Sequence, residues 1–187
     1  MKIGLFGGAF DPPHTGHKIV ADSLIHNKVV DEVWFVPVFE HPWAKRYGKE
    51  IMTPYQERVH MLEFIVGEHQ SVEHFKDVSF TFPTLEYFKN KYPEHQFSWI
   101  MGSEYISRFE DFLSGHPGLK NYTFYVYPRK GFPLENVYSF MVPLHQMKEI
   151  EISSTMVRNA VKSNEAIDNL VPEKIKKIIK EKNLYKR

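Results

Sequence analysis

Short apolar runs alternate along the chain with longer stretches in which apolar residues recur at helical spacing, and that alternation predicts an α/β sheet. Residues 2–6 read as a buried first strand closed by Gly7-Gly8. Residues 33–38, 97–101 and 123–127 are further strands, rich in β-branched and aromatic side chains. Thr53-Pro54-Tyr55-Gln56 reads as a capping box, with Thr53 as N-cap and Pro54 as the first helical residue; Val59, Leu62 and Val66 supply the apolar stripe that follows. A shorter helix is expected over residues 85–91, stopping before Pro93. Residues 150–152 read as a strand, with Ser153, Ser154 or Thr155 capping the next helix. Pro172 opens a last helix, whose Ile175, Ile178 and Ile179 can pack on the body. Residues 41–51 and 115–121 are the expected long loops.

Composition narrows the picture. The chain has 187 residues, 42% hydrophobic and 25% charged, which suits one globular domain over residues 1–187 with a helical C-terminal portion from about residue 153. Cysteine is absent, so disulfides, thiol nucleophiles and thiolate metal sites are excluded, and a reducing cytoplasm is the expected location. No apolar run approaches the ~20 residues that span a bilayer, and no signal peptide is evident. The formal net charge of +1 gives no global field for nucleic acid or an anionic membrane, so neither is expected as a partner. Lys174, Lys176, Lys177, Lys180 and Lys182 interleave with apolar positions, as on a solvated helix face.

The most informative segment is Gly7-Gly8-Ala9-Phe10-Asp11-Pro12-Pro13-His14-Thr15-Gly16-His17, at the handover from first strand to first helix. Ligands of open parallel sheets gather beyond the carboxyl ends of strands. The two glycines allow close backbone approach and φ > 0, and Gly16 leaves room for an adenine or ribose. If Thr15 or Gly16 begins the helix, His14 and His17 lie at its positive end, where N–H groups and two imidazoles form a polyphosphate cradle. The histidine pair alone also fits a zinc half-site, though no second ligand cluster is obvious. The dinucleotide fingerprint G-x-G-x-x-G and the G-K-[ST] phosphate loop are both absent.

The same string resembles the G-G-x-F-D-P-x-H-x-G-H signature of the nucleotidylyltransferase superfamily. Ile152-Ser153-Ser154-Thr155-Met156-Val157-Arg158 resembles its I-S-S-T-x-x-R signature. The tail Leu170-Val171-Pro172 and Asn183-Leu184-Tyr185 is similar to the L-V-P … L-Y ending of nicotinate and nicotinamide mononucleotide adenylyltransferases. The resemblance implies a Rossmann-like open parallel sheet with helices on both faces. It also implies in-line attack of a mononucleotide phosphate on the α-phosphorus of ATP, with Mg²⁺ carried on the triphosphate. His14, His17 and Arg158 become the expected catalytic residues. Gly7, Gly8, Phe10, Gly16, Lys45, Gly102, Ser103, Ser154 and Thr155 become the expected ATP contacts, and Thr81, Glu104 and Phe112 the mononucleotide contacts.

The match thins on the mononucleotide side. Residues 41–46 depart from the family P-P-H-K, Glu104 replaces the aspartate of G-x-D, Phe112 stands where a stacking tryptophan is common, and Phe80 replaces the tyrosine of S-Y-T. The expected partners are ATP and nicotinate mononucleotide, with nicotinamide mononucleotide or phosphopantetheine as the alternative acceptor. A nucleotide-binding sensor without catalysis and a homo-oligomeric assembly stay open.

Overall fold

The computed structural model describes residues 1–39, 53–74 and 80–186. Among them, six parallel strands form one sheet in the order β3-β2-β1-β4-β5-β6. The strands are β1 Lys2–Gly8, β2 Glu32–Pro37, β3 Gln70–Val72, β4 Gln96–Gly102, β5 Thr123–Tyr127 and β6 Met141–Pro143. The helices are α1 Thr15–His26, α2 Tyr55–Leu62, α3 Thr81–Lys91, α4 Phe109–Gly115, α5 Ser154–Lys162 and α6 Glu173–Glu181. Side chains alternate across β1 and so divide the core. Ile3 and Leu5 join Leu85, Phe88 and Phe124 on the face covered by α3 and α4. Phe6 joins Val20, Leu62, Val157 and Ile175 on the face covered by α1, α2, α5 and α6. Each such buried side chain contributes roughly 1.5–3 kcal/mol. The strand order reverses at β1, so a crevice opens beyond the carboxyl ends of β1 and β4.

Several elements differ from their sequence expectation. β1 continues through Gly7 and Gly8, and neither glycine takes a positive φ; that conformation falls on Phe10, at φ 49°. Gly7 is instead needed for close approach, because a Cβ there would lie 2.2 Å from the Trp99 ring. Pro54, not Thr53, caps α2, since the Thr53 hydroxyl is turned to Tyr185. α3 begins at Thr81, four residues early, with Pro83 in the first turn where its missing N–H costs little. Residues 150–152 form no strand; Ile150 makes a single bridge to Arg129. Pro117–Asn121 is a 3-10 turn rather than an open loop. Lys174, Lys176, Lys177 and Lys180 lie along α6 and Lys182 caps its end; Lys176 meets Asp168 and Lys182 meets Glu57. No helix of the described residues is long and apolar enough to cross a membrane.

Candidate active site

A cleft of about 510 Å³ occupies the crevice at the strand reversal. Its walls come from the loop after β1, the ends of β4 and β5, the starts of α3 and α4, and the first turn of α5. Both sequence signatures therefore reach one cavity, although they lie far apart in the chain.

His14 is the N-cap of α1 and His17 occupies its first turn. The two rings stack at 3.7 Å between centroids, 24° from parallel. The His14 backbone N–H donates to His17 Nδ1 at 3.1 Å. Nδ1 is thus an acceptor, so the neutral His17 ring carries its proton on Nε2 as a donor. Burial, and secondarily the charge of Arg129, draw the His17 pKa down to about 3. Burial, His17 and Arg129 hold His14 well below the ordinary histidine value. His14 Nδ1 is buried with no hydrogen-bond partner among the described residues. Phe10 stands edge-on beneath His17, 4.8 Å between centroids, and Phe6 flanks it at 5.7 Å.

Two expectations about this turn are corrected. Gly16 does not open space for a base: its Cβ would meet His14 Nδ1 at 2.9 Å and Ile150 Cγ2 at 2.9 Å, and it does not line the cleft. Its hydrogen atom makes room for the His14 ring. The backbone cradle is also partly occupied from within. Thr15 N–H donates to the Leu170 carbonyl at 2.9 Å and His17 N–H to the His14 carbonyl at 3.0 Å. What this turn presents to the cleft is consequently the His14 and His17 side chains more than free N–H groups of the helix terminus.

At the second signature, Ser153 caps α5 by accepting from Met156 N–H at 3.1 Å. Ser154 Oγ donates to the Pro12 carbonyl at 2.9 Å and so ties α5 to the first signature. Arg158 donates from Nη1 to the Asp11 carbonyl at 2.7 Å and from Nη2 to Thr155 Oγ1 at 3.2 Å. These contacts aim the guanidinium while leaving further N–H donors in its fork. Ser153, Ser154, Thr155 and Arg158 all line the cleft.

The remaining expected residues divide. Gly7, Gly8, Phe10, Thr81, Gly102, Glu104 and Phe112 line the cleft. Ser103 does not: its hydroxyl donates to the Phe132 carbonyl at 2.6 Å and accepts from Arg129 N–H at 2.9 Å. Lys45 lies outside the described residues. Glu104 folds back over Gly102, where a Cβ would strike its Oε2 at 1.9 Å. Its Oε1 is 3.7 Å from Arg129 Nε.

Sequence reasoning missed three participants. Arg129 lines the cleft at the end of β5 and donates from Nη1 to the Ile152 carbonyl at 2.6 Å. The rule that ligands meet strand carboxyl ends would have pointed to it. Arg58 is fully buried and donates to the carbonyls of Ala9 at 2.5 Å, Thr53 at 3.0 Å and Val38 at 2.8 Å. It falls on the buried stripe with Tyr55, Val59 and Leu62, and a cation there was the available signal. Tyr185 is buried against Asp11, its hydroxyl 2.6 Å from Oδ1. Among the described residues no group of three His, Cys, Asp or Glu could hold a metal ion.

Comparison with known proteins places this architecture. Residues 5–160 match the family model described as cytidylyltransferase-like. The chain is 34% identical over 190 residues to the nicotinate-nucleotide adenylyltransferase of Bacillus subtilis (strain 168), covering 98% of both chains. Its fold is similar to nicotinic acid mononucleotide adenylyltransferase of Plasmodium falciparum complexed with NaAD, with a TM-score of 0.80, 19% identity, and 98% and 97% of the two chains covered. The same parasite protein complexed with APC gives a TM-score of 0.75 at 20% identity, covering 98% and 96%. The chain belongs to the cytidylyltransferase-like family, and its full-length similarity is to nicotinate-nucleotide adenylyltransferases.

Proposed function

We propose that the protein joins the AMP moiety of ATP to nicotinate mononucleotide, releasing pyrophosphate and forming nicotinate adenine dinucleotide. A phosphate oxygen of the mononucleotide attacks the α-phosphorus, a new P–O bond forms, and the bond to the bridging α,β-oxygen breaks. The acceptor brings its own anionic nucleophile, so the protein needs no covalent intermediate. It must align the two phosphates and offset the charge that develops on the leaving group.

The observation that carries this reading is the meeting of the His17 donor and the Arg158 fork in one cleft, at the sheet's reversal point. In this reading His17 Nε2–H donates to the triphosphate without needing to gain a proton first. Arg158 holds the leaving pyrophosphate, and His14 buttresses His17 by stacking. Arg129, bonded to the Ile152 carbonyl, adds a second cation to the cleft. Mg²⁺ carried on the triphosphate as part of the substrate would screen its charge, with His17 and Arg158 meeting the remaining phosphate oxygens. Lack of cysteine suits turnover in a reducing cytoplasm.

The pairing of Glu104 with Arg129 supports the acid as acceptor. A carboxylate turned onto Gly102 and a guanidinium repels nicotinate less than one aimed at the ring. Phe112 offers an aromatic face on the same wall, with Phe80, Thr81 and Tyr105 close by. The test is product analysis: ATP, Mg²⁺ and nicotinate mononucleotide are incubated with the protein and resolved by chromatography. The reading requires dinucleotide and pyrophosphate in equal amounts. Hydrolysis of ATP without a dinucleotide product refutes it.

A further inference from the structure

After α6 the chain turns back into the body. Asn183 and Tyr185 both take left-handed backbone conformations, at φ 51° and 63°, and the Tyr185 ring enters the core with 6% of its surface exposed. Lys182 fastens this end to Glu57 of α2. The Tyr185 hydroxyl donates to Asp11 Oδ1 at 2.6 Å and accepts from Thr53 Oγ1 at 2.8 Å. Asp11 in turn offers its backbone carbonyl to Arg158 Nη1 at 2.7 Å. One residue thus joins the chain's end to the phosphate-facing arginine through a single intermediary.

We infer that Tyr185 is a positioning residue for ATP: by fixing the Asp11 side chain it fixes the carbonyl on which Arg158 is aimed. The inference rests on the reading above, in which Arg158 meets the triphosphate. A phenol suits the task, because a buried carboxylate needs a donor and a neutral one adds no charge beside Arg158 and Arg58. Burial and the nearby Asp11 keep that phenol protonated. Thr53 donates to the Tyr185 hydroxyl, and among the described residues no hydrogen bond joins it to Asp11, which separates the two hydroxyls experimentally.

Tyr185→Phe removes one oxygen and keeps the ring. Thr53→Val removes the neighbouring hydroxyl and leaves the Tyr185–Asp11 bond in place. MgATP affinity is measured by calorimetry, and steady-state constants are measured for both substrates well below each variant's Tm. Tyr185→Phe is expected to weaken MgATP binding and lower kcat/KM for ATP by roughly 10-fold, with KM for the mononucleotide changed by no more than about twofold. Thr53→Val is expected to stay within about twofold of the parent in every constant. Asp11→Asn, which weakens the same bond from its other side, should reproduce the Tyr185→Phe split. A purely structural role would lower Tm in all three variants without singling out ATP. Parental ATP affinity and turnover in Tyr185→Phe, or losses that simply follow Tm across the variants, would overturn the inference. A parent protein that neither binds ATP nor releases pyrophosphate would instead overturn the reading beneath it.

Discussion

Tyr185 and Asp11 stand 174 residues apart in the chain and meet at 2.6 Å. A second tie lies close by, where the Leu170 carbonyl accepts from both the backbone N–H and the hydroxyl of Thr15. The two ends of the tail motif, L-V-P and L-Y, thereby hold the first signature at two points, Thr15 and Asp11. The tail is thus part of the framework that shapes the first signature, not an appendage packed behind it.

The two nitrogens of His17 have separable duties. Asparagine places its amide oxygen near the position of Nδ1 and can accept from His14 N–H, but it has no group at Nε2. His17→Asn should therefore stay folded and lose on the order of 10²-fold in kcat/KM, as removal of a preorganised donor does. Alanine is a poorer probe, because His17 is enclosed by Phe6, Phe10 and His14 and its truncation also opens a void. A folded His17→Asn with parental kcat/KM, established by circular dichroism and pyrophosphate release, would remove His17 from the chemistry.

Arg158 is aimed by two hydrogen bonds from different nitrogens. Lysine supplies charge but only one nitrogen, so it cannot hold Asp11, Thr155 and a phosphate in the same planar arrangement. Arg158→Lys is expected to lose at least about 10-fold in kcat/KM for ATP, through weakened transition-state charge stabilisation. Full activity in the lysine variant would show that only long-range charge matters there.

The two stacked histidines, of which His14 is buried and His17 half-buried, make stability depend on pH with a definite sign. Burial lowers both pKa values below the usual 6.5, that of His17 to about 3. Above pH 6.5 both rings are neutral in folded and unfolded chains alike, and their contribution is fully present. Below it the unfolded chain takes up protons that the folded one refuses. The unfolding free energy then falls by up to about 1.4 kcal/mol per pH unit per histidine, continuing for His17 toward pH 3. Chemical denaturation of the ligand-free protein from pH 7.5 to 5 should show this decline, and His17→Asn should make it shallower. An unfolding free energy that is flat or rises on acidification would contradict the desolvated, neutral pair.

Much of the sheet was legible because β1, β2, β4 and β5 are long enough for apolar runs to stand out between helices. β3 and β6 have three residues each and show no period. The wall of the cleft that carries His14, His17 and Arg158 was legible because its residues are packed into two contiguous strings. The roles of Gly16 and Ser103 were not, since each turns on tertiary neighbours, His14 and Ile150 for one, Phe132 and Arg129 for the other. Arg58 and Tyr185 were missed for a related reason. Arg58 stands on the apolar stripe of α2, but only the loop carbonyls it meets explain a cation there, and Tyr185 reads as part of the tail motif until its hydroxyl meets Asp11.

The choice of pyridine is the sharpest claim the cleft makes. Nicotinate carries a carboxylate and nicotinamide a neutral amide, so one site cannot serve both equally if its polar groups are built for one. With Glu104 Oε1 3.7 Å from Arg129 Nε, the charge of that carboxylate is offset by a guanidinium on the cleft wall, which favours the acid. The decisive measurement is kcat/KM for nicotinate and nicotinamide mononucleotides at one saturating concentration of MgATP, followed by pyrophosphate release, with phosphopantetheine as a further acceptor. The account predicts the highest value for nicotinate mononucleotide; a higher value for nicotinamide mononucleotide or phosphopantetheine, or pyrophosphate release with none of the three, would contradict it.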